Sequence, residues 1–298
     1  MKYFSADGEI RRLDGITRRQ LRGSFIELSD GVTHYELGGP HDGELVVLVP
    51  GLTVPLFYWD AFVEELHARG LRTLAFSAYG RGYSDRVPNR YDEALFGRQL
   101  REIITALELP ARQHMVGTSM GAVIALGYAA EYSDSVATLT LVGPAGLSDE
   151  TRRQQWLLRS DVLTTFVAKR FGRRILLGHL GHNVSDPELA RQLTAMIADT
   201  HLYEGSMYAF FSTLQNFPLH GRAPLFGRVG QCGLPTMLVW GADDQVTPVT
   251  GMNTARTLMH PTETHVLDCG HMAPYERPAE VAEYLATFTA AYTDRTRP

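Results

Sequence analysis

Gly117-Thr118-Ser119-Met120-Gly121 follows an apolar run at 113–116 and precedes a helix-forming run at 122–130. In another setting this would be an ordinary glycine-rich turn. Between a strand and a helix it is a nucleophile elbow, where small neighbours relieve crowding in a strained turn and expose the hydroxyl. A serine hydroxyl is a poor nucleophile near neutral pH and needs a base that a third group holds in place. Two further strand ends offer both partners. Gly270-His271 follows the run 264–267, and Asp243-Asp244 follows the run 236–240. In such a set His271 takes the Ser119 proton, and an aspartate accepts the proton on Nδ1, fixing the tautomer and stabilising the imidazolium. The plainer readings are one core or surface histidine among eleven and a pair of solvated turn carboxylates.

Attack by Ser119 on a carbonyl would create an oxyanion that needs preorganised N–H donors. Folds with this elbow take one donor from the residue after the nucleophile and one from the loop after an earlier strand, here Met120 and Leu52. Met120 also opens a helix, whose dipole favours negative charge. Gly51 and Thr53, on either side of Leu52, are expected to contact the substrate. The pair in His179-Leu180-Gly181-His182 has no carboxylate or cysteine at ligand spacing, so it reads as a polar loop rather than a metal site. No metal or organic cofactor is expected.

These residues need a scaffold of alternating strands and helices. Asp30-Gly31 separates short β-type runs at 25–28 and 32–37, a hairpin signal. Continuous apolar runs at 44–49 and 71–76 fit strands buried on both faces. Helices are predicted over 59–68 and over 92–107, the latter from an apolar stripe of Phe96, Leu100, Ile103, Ile104 and Leu107. Strands follow at 113–116, 137–142, 236–240 and 264–267, and a last helix starts at Pro278. Alternation of this kind gives a mostly parallel sheet with helices on both faces, and ligands bind beyond the carboxyl ends of its strands. From about 147 to 231 no strand signal appears, and the apolar residues, from Trp156, Leu157 and Leu158 through Phe166, Phe171 and Ile175 to Leu214, recur at roughly helical intervals. This predicts an inserted helical cap at 147–231, splitting a core domain of 1–146 and 232–298. Its aromatic and methionine residues are expected to form the cap's own core and to roof a cleft suited to apolar groups. Arg152-Arg153 and Arg173-Arg174 are read as solvated faces.

The chain has 298 residues, 44% hydrophobic, with 28 basic and 33 acidic side chains and a net charge of -5. That fits a globular protein and argues against nucleic-acid binding, which rewards a basic excess. No apolar run reaches the eighteen residues that would suggest a membrane span. No secretory signal is read at the N-terminus, so a cytoplasmic location is expected, with Cys232 and Cys269 as thiols rather than a disulfide.

Taken together, the chain resembles the α/β-hydrolase superfamily, with closest likeness to capped serine esterases and lipases of the monoacylglycerol-lipase type. The order Ser119, Asp244, His271 matches that superfamily, and the resemblance selects Asp244 over Asp243. Gly80-Arg81-Gly82-Tyr83-Ser84-Asp85 looks like its turn after the fourth strand, and Gly241, Asp244 and Pro248 look like its acid loop. The resemblance implies an α/β-hydrolase fold and hydrolysis of lipophilic small-molecule esters through an acyl-enzyme. Two positions depart from the pattern. Pro50-Gly51 stands where His-Gly is common, and Ser77 replaces the usual aspartate, which is expected to weaken a structural hydrogen bond. Carbon-carbon bond hydrolases of ring-cleavage products share the triad and cap, but they typically carry a glycine-rich oxyanion loop that 51–55 lacks. Thioester cleavage or acyl transfer uses the same groups, and a small-molecule receptor on this fold is the non-enzymatic alternative.

Overall fold

A computed structural model describes residues 1–148, 160–180 and 183–293. Runs of valine and leucine make strands covered on both faces, and all five residues of β3 (Leu45–Val49) are buried. With β1 (Ser24–Glu27), β2 (Val32–Gly38), β4 (Arg72–Phe76), β5 (Gln113–Thr118), β6 (Val136–Val142), β7 (Thr236–Gly241) and β8 (Glu263–Leu267) it forms one sheet in the order β1-β2-β4-β3-β5-β6-β7-β8. The predicted hairpin is present, with Glu27 opposite Val32. β2 pairs antiparallel with both neighbours, and every pairing from β4 to β8 is parallel.

The chain steps one way from β3 to β4 and the other way from β4 through β8. Right-handed crossovers therefore send α1 (Asp60–Ala68) to one face of the sheet and the crossover helices between β4 and β6 to the other. α2 (Glu93–Ala106) packs on α3 (Met120–Glu131), whereas α1 packs on the final helix, Pro278–Ala291. The reversal lies between β3 and β5, where Val49 pairs with Gly117, so the loops after these two strands emerge side by side.

Between β6 and β7 the described residues form four helices: α4 (Asp161–Leu180), α5 (Pro187–Thr200), α6 (Ser206–Asn216) and α7 (Ala223–Gly230). α4 crosses α6 closely because Gly172 meets it without a side chain: a Cβ there would lie 3.0 Å from both Met207 Sδ and Phe211 Cε2. Thr164, Ala168, Leu176 and Leu180 are buried. The expected packing core is present in Met207, Tyr208, Phe210, Phe211 and Phe217, but on α4 Phe166, Phe171 and Ile175 face solvent. Ala168 and Gly172 let the backbones approach at the crossing, Leu176 and Leu180 point inward, and the phenylalanines are left outside. The expected loop at 179–182 is also corrected, since α4 runs through His179 to Leu180. Trp156, Leu157, Leu158, Arg152, Arg153, Gly181 and His182 lie outside the described residues. Among the longer described helices, α8 (Gly251–Met259) escaped the sequence reading; it is the crossover that the parallel pair β7 and β8 requires, and it buries Met252, Ala255 and Met259. With α9 (Pro278–Ala291) the chain ends on the same face as α1. Cys232 and Cys269 are free thiols.

Three histidines are buried as neutral rings. Desolvation pushes His34 and His114 down to about 4 and His201 down to about 3. In the unfolded chain each would titrate near 6.5, so between that pH and about 4 the unfolded state binds more protons, and stability falls as pH falls. Three such groups give a slope of roughly 4 kcal/mol per pH unit near pH 5, large against a domain stability of about 5–15 kcal/mol. Urea unfolding midpoints are expected to fall steeply from pH 7 to pH 5, and His201→Gln should flatten that dependence.

Candidate active site

Ser119 occupies the tip of the turn between β5 and α3 at φ 53° and ψ -117°, a conformation that costs a residue with a side chain about 1–3 kcal/mol. The turn holds because Ser119 N–H donates to Val142 O at 3.0 Å and Ser119 O accepts from Ala145 N at 3.2 Å. Gly121 permits it, since a Cβ there would strike the carbonyl oxygens of Val49 and Pro50. The Ser119 side chain makes no capping bond to α3, and the residue is half-buried.

His271 and Asp244 are joined. His271 Nδ1–H donates to Asp244 Oδ2 at 2.7 Å, with the imidazole 2% and the aspartate 5% exposed. Asp243, by contrast, is exposed. This bond fixes the tautomer, leaving Nε2 with its lone pair available in the neutral ring. Asp244 is itself held: Oδ1 accepts the N–H groups of Val246 and Thr247 at 2.9 and 2.7 Å. A Cβ on Gly143 would lie 3.1 Å from Asp244 Oδ2 and 3.2 Å from His271 Nδ1. Gly143 directly follows Val142, the residue that anchors Ser119, so the histidine-aspartate pair packs beside the elbow.

Sequence reasoning missed Thr247. Its hydroxyl lies 2.8 Å from Asp244 Oδ2, 3.1 Å from Gly143 O and 3.2 Å from His271 Nδ1. The signal was available, because an aspartate followed three residues later by threonine is a side-chain-closed turn. Losing one hydrogen bond to a charged group costs roughly 1.5 kcal/mol, so Thr247→Val is expected to lower kcat about tenfold. KM should change little, and the urea midpoint should fall by no more than the lost bond is worth, which steady-state kinetics and an unfolding curve check.

Leu52 and Met120 present their N–H groups at neighbouring strand ends, and among the described residues neither N–H has an acceptor. Gly51 abuts Ser119, with a Cβ position 3.6 Å from Ser119 Cβ, and Thr53, two residues on, is buried. The loop is braced by Arg81, whose Nε donates to Leu52 O at 2.6 Å while its other nitrogens donate to Tyr79 O and to Thr213 Oγ1 on α6. Burial lowers the Arg81 guanidinium to about 10, so it remains a cation at neutral pH. Ser77 does not loosen the adjoining turn: its hydroxyl accepts Leu56 N–H at 3.0 Å and its carbonyl accepts Ser84 Oγ–H at 2.6 Å.

The histidine loop is tied to the inserted helices as well. His271 N–H donates to Asn183 O at 2.9 Å, and the buried Glu276 accepts Gly270 N–H on one oxygen and Ser185 N–H on the other. Cys269, two residues from the imidazole, is no rival nucleophile, because burial pushes its thiol up to about 12.

The sequence profile of the alpha/beta hydrolase fold family matches residues 44–278, most of the chain. The chain belongs to the alpha/beta hydrolase fold family. Among curated members of this hydrolase family it is 27% identical to monoacylglycerol lipase ABHD6 of Bos taurus over 65% of this chain and 60% of that protein. It thus spans about 60% of the length of that lipase. It is 26% identical to 2-hydroxy-6-oxo-6-phenylhexa-2,4-dienoate hydrolase of Comamonas testosteroni, over 90% of this chain and 94% of that one. Among solved structures, a thermophilic esterase from Thermogutta terrifontis superposes with a TM-score of 0.77 at 21% identity, covering 92% of this chain and all of the other. No helix among the described residues is long and apolar enough to cross a membrane.

Proposed function

We propose that this hydrolase cleaves carboxylic esters with apolar acyl or alkyl groups, through an acyl-enzyme on Ser119. The observation that carries the reading is the positive φ of Ser119 at an elbow whose anchor, Val142, leads directly into the glycine packed against the His271–Asp244 pair. His271 Nε2 takes the hydroxyl proton as Ser119 Oγ attacks the ester carbonyl, and Asp244 stabilises the imidazolium. The N–H groups of Leu52 and Met120 hold the oxyanion, helped by the N-terminus of α3. The tetrahedral intermediate collapses as His271 returns the proton to the leaving alcohol, and water, deprotonated by the same imidazole, then hydrolyses the acyl-serine. The helices between β6 and β7 act as the cap over this site, with Gly51 and Thr53 against the substrate.

Cleavage of a carbon-carbon bond in a ring-cleavage product is the second reading, supported by the near-full-length likeness to the dienoate hydrolase. The test is covalent labelling of Ser119 by a fluorophosphonate, with p-nitrophenyl esters of rising chain length assayed beside a 2-hydroxy-6-oxo-dienoate. Faster turnover of the esters supports the first reading, faster turnover of the dienoate supports the second, and a protein that labels with neither turnover loses both.

A further inference from the structure

Ten large apolar side chains are exposed among the described residues, and five of them stand on α4. Val162 is 83% and Phe166 61% exposed, and Phe171 and Ile175 form a second row beside them. Such a cluster on one helix is unlike the scattered apolar residues that any surface carries. The same helix concentrates positive charge within a chain of net charge -5: Lys169, Arg170, Arg173 and Arg174 against the single acidic residue Asp161. Among the described residues none of the four cations makes an ion pair, whereas Asp161 pairs with the amino group of Met1. Lys169 and Arg170 instead lie over the rings of Phe4 and Phe171. At a spacing of four, Val162, Phe166, Arg170 and Arg174 line one ridge, which is apolar in its first half and cationic in its second.

We propose that α4 is a docking surface for an anionic phospholipid bilayer. A helix lying in the plane of a membrane interface sinks its aromatic and aliphatic side chains below the headgroups, while arginine and lysine stems let their charges reach the phosphates. Both features are present, and the buried stripe of Ala168, Gly172 and Leu176 that seats α4 on α6 lies on another face of the helix. Another protein surface could cover apolar side chains equally well, but four cations within six residues, with no ion pair among the described residues, single out a negatively charged partner. The inference is independent of the chemistry at Ser119.

Sedimentation of the full chain with phosphatidylcholine vesicles, and with vesicles about a third phosphatidylglycerol, tests it. Each cation near an anionic surface is worth roughly fivefold in binding, so the anionic vesicles should bind more than tenfold tighter, and salt should weaken them. Phe166→Ser with Phe171→Ser, and separately Arg170→Glu with Arg174→Glu, should each reduce binding at least about tenfold. Val266→Ser, on the edge strand β8, should change nothing, and unfolding curves should match the parent. Equal binding to neutral and anionic vesicles, undiminished binding by either double variant, or no binding at all overturns the proposal. So does a dimer in sedimentation equilibrium that Phe166→Ser dissociates in the absence of vesicle binding, because α4 would then be covered by a second copy. Since no readout is hydrolysis, these failures leave the reading of Ser119 untouched, and failure of that reading leaves vesicle binding measurable.

Discussion

Replacing Ser119 by alanine is expected to lower ester turnover by about 10⁴- to 10⁶-fold in kcat and to abolish fluorophosphonate labelling. The substrate contacts proposed at Gly51 and Thr53 are untouched by the change, so KM should stay within a few fold of the parent. The fold should gain rather than lose stability, because alanine is no more strained than serine at φ 53° and leaves no unpaired hydroxyl. Active-site titration, followed by single-turnover kinetics with a p-nitrophenyl ester, separates this outcome from a contaminating esterase. Turnover equal to the parent's would remove Ser119 from the chemistry altogether.

Asp244→Asn is expected to cost about 10⁴-fold in kcat with the backbone in place. Asp244 Oδ1 accepts two N–H groups and Oδ2 accepts the His271 Nδ1 proton. An amide can satisfy the backbone pair with its oxygen, but it then presents NH₂ to Nδ1. The imidazole must turn to the other tautomer, which leaves Nε2 carrying the proton it should receive. Asp243→Asn, on the exposed neighbour, serves as the control and should retain full activity. Ordinary rates in the Asp244 variant would show that His271 is oriented by something else.

The sheet and the elbow were legible in the sequence because each rests on local chemistry: buried strands need unbroken apolar runs, and a serine turned between a strand and a helix needs small flanking residues. The pairing of His271 with Asp244 rather than Asp243 was not local. It depends on which of two adjacent carboxylates faces the β8 loop, and only the resemblance favoured Asp244. α8 went unread because its buried Met252, Ala255 and Met259 are sparse in a polar segment. The outward aromatics of α4 were misread for a different reason. Helical periodicity reports that one face is apolar, but a glycine and alanine stripe such as Ala168 and Gly172 can win the contact by letting backbones approach, and a pattern that counts only large side chains misses it. Arg81 and Thr247 act through distant partners, which spacing alone cannot name.

The bonds from Arg81 to Thr213, from His271 to Asn183 and from Glu276 to Ser185 have a consequence for engineering. The Leu52 loop and the His271 loop, on either side of Ser119, borrow their anchorage from the inserted segment. Grafting a foreign lid between β6 and β7 to broaden substrate range would therefore also detach the Leu52 and His271 loops, and a chimera should keep a hydroxyl at 213 and the backbone of 183–185 to hold them in place.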